Sequence, residues 1–187
     1  CMTIEGLTAE SCEYNYYIGE QILTDTYAKR IYGNEKWGSE TPDTILRGGI
    51  YQSQFDWQKT APLHIPYQDS IFYCLHVRGF TRHSSSKVKH KGTFMGLIEK
   101  LPYLKQLGIT AVELMPAYEF DEQIMSGRAR GTKNYWGYGT ANYFAPKASY
   151  SSSADAASEF RELVHTLHEN GMECVMEFYF APGMNQN

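Results

Sequence analysis

The chain has 187 residues, of which 42% are hydrophobic and 20% charged, with a formal net charge of -4. That suits one ordinary domain, or a small domain with part of a larger one, built around an apolar core. It argues against a nucleic-acid binder: the one basic stretch, Lys87-Val88-Lys89-His90-Lys91, is short, lacks interleaved aromatics and reads as a solvated loop.

Residues 1–66 are rich in Tyr, Gly and short alternating runs, with no long helical period. "EYNYYIGEQI" alternates as a strand does, and "LRGGIYQSQFDW" predicts a strand pair around Gly48-Gly49. This part reads as the end of a small β domain. Pro62 and Pro66 in "APLHIPY" predict an extended linker, because proline fixes its own φ and keeps its predecessor out of the helical region.

From residue 67 onward the texture changes. "IFYCLHVRGF" predicts a strand covered on both faces. After the polar loop "TRHSSSKVKHKG", Thr93 precedes Phe94, Leu97, Ile98, Leu101, Leu104 and Leu107, an apolar face at helical spacing. Pro102 should kink or split that helix, and Gly108 should end it. "ITAVELM" is a second buried strand, stopped by Pro116. A long connection follows. Phe160, Leu163, Val164 and Leu167 then repeat at i, i+3, i+4 and i+7, Asn170-Gly171 terminates that helix, and "MECVMEFYF" is a third strand. Buried strands alternating with amphipathic helices predict an α/β fold of parallel units. A closed (β/α)8 TIM barrel needs eight strands and ~250 residues, so three strands would be its opening part.

The segments "YCLHVRGFT", "GTFMGLIEKLPYLKQLGITAVELMPAYEF", "NYWGYGTANYFAPKASYS" and "FRELVHTLHENGMECVMEFYF" occur in this order. Together they resemble the first part of the catalytic barrel of the alpha-amylase superfamily of glycoside hydrolases, especially isoamylase, pullulanase and glycogen-debranching enzymes. Residues 1–66, with "TYAKRIYG", "KWG", "FDW" and "PLHIPYQDSI", resemble the last part of the β-sandwich that precedes that barrel. The resemblance implies a partial barrel over residues 67–187, and a parent that acts on an α-glucan such as glycogen, starch or pullulan. It also implies a retaining mechanism, in which one carboxylate attacks the anomeric carbon and another serves as acid and then base, ~5 Å apart. In the family these carboxylates lie on later strands, so the catalytic residues are expected beyond residue 187. No metal or cofactor is implied by the residues present.

Within the resemblance, Tyr138 matches the tyrosine that stacks beneath the sugar at the cleavage subsite. Asn134, Tyr135 and Trp136 would support or extend that wall, although Trp136 and Tyr143 read more readily as packing aromatics. The physical fit is that a sugar offers a face of C–H bonds to an aromatic ring and an edge of hydroxyls to donors and acceptors. On strand three the family reads "DVVYNH", whereas this chain has Glu177-Phe178-Tyr179-Phe180-Ala181-Pro182. Glu177 keeps the carboxylate. Ala181 and Pro182 carry no side-chain donor where the family's sugar-binding histidine stands, which motivates the alternative of a catalytically degenerate glucan-binding or regulatory protein.

The remaining polar residues read as structural. Glu119, Asp121 and Glu122 in "EFDE" form a solvated acidic turn. His76 and Glu113 meet inside the barrel as a pair. His165 and His168 lie on a solvated helix face rather than in a zinc site. Cys1, Cys12, Cys74 and Cys174 have no metal-ligand spacing, and the strand cysteines 74 and 174 pack as small hydrophobes. This favours a reducing, cytoplasmic setting. No apolar run approaches the ~18 residues of a membrane span, so no membrane partner is expected.

Overall fold

The structure, a computed structural model, describes residues 4–8, 12–39, 45–58, 60–123 and 132–180. Among the described residues, the N-terminal part carries five short strands: β1 (Glu13–Tyr14), β2 (Tyr16–Ile18), β3 (Gln21–Leu23), β4 (Ile31–Tyr32) and β5 (Arg47–Gly49). β2 and β3 form an antiparallel hairpin, and β5 lies between β1 and β4 in an antiparallel sheet. The strand pair expected around Gly48-Gly49 is therefore a single strand with both glycines inside it. The reason is close approach. A Cβ on Gly48 would lie 3.0 Å from the Tyr14 ring, and one on Gly49 would lie 2.5 Å from the Tyr32 ring, so only glycine admits both rings.

Residues 61–66 run without regular structure, as the two prolines require, into a short 3-10 turn at Tyr67–Asp69. This segment is tied down along its length. Thr60 Oγ1 bonds His165 Nδ1, and the Ile65 amide donates to Glu173 Oε1 at 3.2 Å.

The larger part is a three-stranded parallel sheet of β6 (Phe72–Leu75), β7 (Ala111–Leu114) and β10 (Glu173–Met176), in the order β10-β7-β6. Between β7 and β10 the chain makes an antiparallel excursion, β8 (Tyr118–Phe120) and β9 (Thr140–Pro146). The helices are α1 (Val77–Arg82), α2 (Phe94–Ile98), α3 (Leu101–Gln106) and α4 (Ala156–Glu169). Thr93 caps α2, its hydroxyl accepting from Gly96 N–H at 3.1 Å. The apolar run then breaks at Glu99-Lys100, and α3 begins with Pro102 in its first turn, where a missing N–H costs nothing. Gly108 and Gly171 take the left-handed conformation after α3 and α4, at φ +77° and +73°. Asp155 caps α4 by accepting from Ser158 N–H at 3.0 Å.

Alternation along the sheet separates two faces. Leu75, Val112 and Leu114 point to the helices and pack with Phe94, Leu97, Leu104, Leu163 and Leu167, all buried. Each such side chain contributes about 1.5–3 kcal/mol on burial. The register aligns Cys74, Glu113 and Val175 on the opposite face. Among the described residues that face is open along strand one, where Phe72 is 44% exposed and Cys74 is exposed as well, while Ala111 beside Phe72 is buried. The expectation that strand one is covered on both faces, with Cys74 buried, is thus corrected. Among the described residues, the helical layer lies on one side only. Cys174, on the helix side, does pack against the core, and burial pushes its thiol pKa up to about 12.

Candidate functional site

The excursion β8–β9 is held by buried ions. Lys147 and Glu119 are 0% exposed and Glu122 is 2% exposed. Lys147 Nζ lies 2.6 Å from Glu119 Oε1 and 2.9 Å from Glu122 Oε1, and it donates to the Phe120 carbonyl at 3.1 Å. Glu119 Oε2 accepts from Ala148 N–H at 2.9 Å, and Glu122 Oε1 from the Ser149 hydroxyl at 3.1 Å. The solvated acidic turn expected over 119–122 holds only for Asp121. Glu119 and Glu122 are roofed by residues 34–38. Asn34 Nδ2 donates to Glu119 Oε1 at 2.7 Å, and Gly38 N–H donates to Glu122 Oε2 at 2.6 Å. Breaking such a pair leaves an uncompensated buried charge, at a cost of about 3–5 kcal/mol.

Trp37 projects from this same roof. Its ring stacks on Tyr150 at 5.9 Å, meets Tyr135 edge-on at 5.9 Å and carries the Arg78 guanidinium at 4.7 Å. Tyr135 in turn stacks on His76, with centroids 4.4 Å apart and planes 8° from parallel. His76 is the N-cap of α1, not a strand residue. Its Nδ1 accepts from Gly79 N–H at 2.9 Å, so Nε2 carries the proton of the neutral ring. Nε2 donates to the Tyr135 carbonyl at 2.7 Å and faces the Tyr150 hydroxyl oxygen at 3.0 Å. Burial lowers the His76 pKa, which keeps the ring neutral. The pairing of His76 with Glu113 is therefore replaced by one with Tyr135 and Tyr150, because the chain turns into α1 before His76 can point to the open face.

The loop 134–138 crosses above the carboxyl ends of the parallel strands. Asn134 organises it: its N–H donates to the Glu122 carbonyl at 2.9 Å, its amide to the Asp121 carbonyl at 3.0 Å, and its Oδ1 accepts from Gly137 N–H at 3.1 Å. Tyr135 is anchored on His76, whereas Trp136 is 54% exposed, more a surface ring than the packing aromatic expected. Tyr138 is 41% exposed. Its hydroxyl donates to Glu177 Oε1 at 2.7 Å, and that bond raises its pKa to about 12. Glu177 follows β10, its N–H bonded to the Leu114 carbonyl at 2.9 Å. Tyr138 and Glu177 thus meet although 39 residues apart.

The end of strand three is also fixed by rings. Phe178 stacks on Tyr118 at 5.4 Å, Phe180 packs on Tyr143 at 5.2 Å, and the Tyr143 hydroxyl donates to the Tyr179 carbonyl at 2.7 Å. Ala181 and Pro182 lie outside the described residues. His165 is buried at 7% exposure beneath the linker, so the solvated histidine face is corrected for it. Among the described residues, no three His, Cys, Asp or Glu side chains converge as a metal set, and no helix is long and apolar enough to cross a membrane.

Sequence reasoning missed Lys147, Asn34 and Trp37. The available signal was slight: Glu119 sits between Tyr118 and Phe120 at the end of an apolar run, where a buried acid needs a cation, and Lys147, flanked by Pro146 and Ala148, is the first charged residue after β9.

An exposed tyrosine with a carboxylate-fixed hydroxyl, at the carboxyl edge of a parallel sheet, is suited to a polyhydroxylated ligand with an apolar face. The chain belongs to the alpha-amylase family, matching the alpha amylase catalytic domain over residues 72–181. It is 39% identical over 188 aligned residues to Isoamylase 1, chloroplastic, of Oryza sativa subsp. japonica, covering 94% of this chain and 23% of that one. Among solved structures, it resembles the Group B Streptococcus pullulanase SAP with a TM-score of 0.68 and 27% identity, over 88% of this chain and 24% of that one. A mutant pullulanase from Paenibacillus barengoltzii, complexed with maltotetraose, superposes with a TM-score of 0.64 and 28% identity, over 88% and 27%. The chain therefore spans about a quarter of the length of these relatives.

Proposed function

We propose that the protein carrying this chain is a glycoside hydrolase that debranches an α-glucan such as glycogen, starch or pullulan by a retaining double displacement. In this reading, β1–β5 belong to the end of a β-sandwich that precedes a barrel, within residues 1–66. Strands β6, β7 and β10 are the first three staves of a (β/α)8 barrel over residues 67–187. The attacking carboxylate and the acid/base come from later strands. This chain contributes the sugar wall: Tyr138 stacks on the C–H face of a glucosyl unit, Trp136 extends the wall, Asn134 and Tyr135 hold the loop, and Glu177 orients Tyr138. The free thiols of Cys12, Cys74 and Cys174 support a cytoplasmic setting.

The observation that carries the proposal is the Tyr138–Glu177 hydrogen bond of 2.7 Å at the carboxyl edge of the sheet. It fixes the orientation of a ring that is 41% exposed, which is what ring stacking on a sugar needs. Family membership and the maltotetraose complex of a similar pullulanase support the substrate class. The test is reducing-sugar release from a branched glucan by the full-length protein. Tyr138→Ala should lower kcat/KM at least about tenfold, the equivalent of ~1.4 kcal/mol. Tyr138→Phe, which keeps the ring, should lose less. Near-unchanged turnover in Tyr138→Ala would remove the stacking role.

A further inference from the structure

We propose that Lys147 and Glu122 are positioning residues for the loop that carries Tyr138, through a buried ionic node that also recruits residues 34–38. This deepens the sugar-wall reading and rests on it for its catalytic consequence. Its structural content stands separately.

Three observations converge on the node. Lys147, Glu119 and Glu122 are all buried. Such a cluster is a weak source of net stability compared with a packed apolar substitute, so its value lies in the one geometry it permits. Second, Glu122 touches three separate parts of the chain. Its carboxylate meets Lys147 Nζ at 2.9 Å and Gly38 N–H at 2.6 Å, while its carbonyl accepts from Asn134 N–H at 2.9 Å. Asn134 is the residue that ties off the turn before Gly137 and Tyr138. Third, the roof fixed by Glu119 and Glu122 places Trp37 edge-on to Tyr135, the ring next to Trp136 in the same loop. The loop is thus gripped twice from one charge centre, at Asn134 through the Glu122 backbone and at Tyr135 through Trp37. Lys147 bridges the two glutamates, and its own backbone N–H bonds the Ala117 carbonyl at 2.8 Å, which locks the base of the excursion.

Without the ammonium, two buried carboxylates face each other. They separate or draw in water, Glu122 shifts, and the loop loses its register above Glu177. A residue that only holds the fold together would lower the amount of active enzyme and leave KM alone. A residue that sets the wall changes KM.

The experiment compares the full-length wild type with Lys147→Met and Glu122→Gln, by amide hydrogen exchange and by branched-glucan kinetics per folded enzyme. The expected result for Lys147→Met is exchange at residues 132–138 faster by about tenfold or more, with β7 and β10 still protected. KM should rise about fivefold or more, with kcat within about threefold. Glu122→Gln, which keeps size and the Gly38 contact, should show the same pattern in smaller measure, and it decides the matter if Lys147→Met does not fold. Unchanged exchange in 132–138 overturns the proposal. So does an increase spread evenly over β7 and β10, or a fall in kcat at constant KM. If the wild type lacks turnover, or Tyr138→Ala matches it, the sugar-wall reading fails, and the exchange pattern still decides the positioning role.

Discussion

Replacing Gly137 by alanine should disable the Tyr138 loop more than its single methyl suggests. Gly137 has φ +90°, a conformation in which a Cβ costs about 1–2 kcal/mol. The new methyl would also lie 2.8 Å from Pro116 Cβ and 2.9 Å from Phe120 Cδ1. Carbon atoms pack at about 3.5–4.0 Å, so the shortfall is about 0.6–1.2 Å. Neither neighbour yields easily, since Pro116 is a closed ring and Phe120 is fully buried; overpacking of this kind costs about 1–3 kcal/mol. The sum, about 2–5 kcal/mol, falls on the conformation that holds Tyr138 against Glu177. The loop escapes by backing away from Pro116. At about 1.4 kcal/mol per decade, even the low end depletes the competent conformation about thirtyfold. The assay is kcat/KM on a branched glucan for the full-length protein, with amide exchange of residues 132–138 alongside. Gly139→Ala is the milder comparison: its methyl would lie 3.0 Å from the Asn134 amide nitrogen alone, and that side chain must give by a few tenths of an ångström. It should lose clearly less activity and loop protection than Gly137→Ala. Gly137→Ala enzyme that keeps both its activity and its loop protection would refute the reasoning.

Two further outcomes depend on pH and thiol chemistry. The Tyr138 phenol, ordinarily near 10.0, is raised to about 12 because its proton is held by the Glu177 carboxylate. The bond's contribution is therefore fully present below the ordinary pKa and is lost as pH rises toward 12. The phenolate absorbance difference between wild type and Tyr138→Phe should titrate near 12, and a difference centred near 10 would deny the bond. For Cys174, burial raises the pKa from 9.0 to about 12, which lowers the thiolate fraction at neutral pH about a thousandfold. Iodoacetamide labelling followed by mass spectrometry should find Cys174 inert in the native protein and reactive in urea. Native labelling within about tenfold of the unfolded rate would contradict the burial.

Much of the parallel framework is legible in the chain alone. Thr93, the i, i+3, i+4 spacing, Pro102 and Gly108 define two helices and their break, and each signal acts within a turn or two of itself. Strands β7 and β10 are apolar runs between breakers, so their existence follows from the same local reading. Tyr138 is singled out by motif resemblance, and Glu177 by its place in strand three. Gly48-Gly49 misleads because glycine pairs signal turns, and only the Tyr14 and Tyr32 rings, brought in from elsewhere, make them a strand interior.

The acidic stretch 119–122 marks where local reading stops. Its composition signals solvent, yet Lys147 reaches Glu119 across 28 positions and Asn34 reaches it across 85. Nothing within the stretch distinguishes Glu122, which is buried, from Asp121, which is exposed. The amino-acid sequence by itself determines the three parallel strands, the helices before the second and third of them with the Thr93 cap and the Pro102 break, and the family, while the β8–β9 excursion and α1 are not legible in it. The tertiary structure alone decides which carboxylates are desolvated, that His76 serves Tyr135 instead of Glu113, and that Tyr138 finds Glu177. Periodicity and capping are written in neighbouring residues, whereas the partner of a buried charge is chosen by whatever the folded backbone brings within about 3 Å of it.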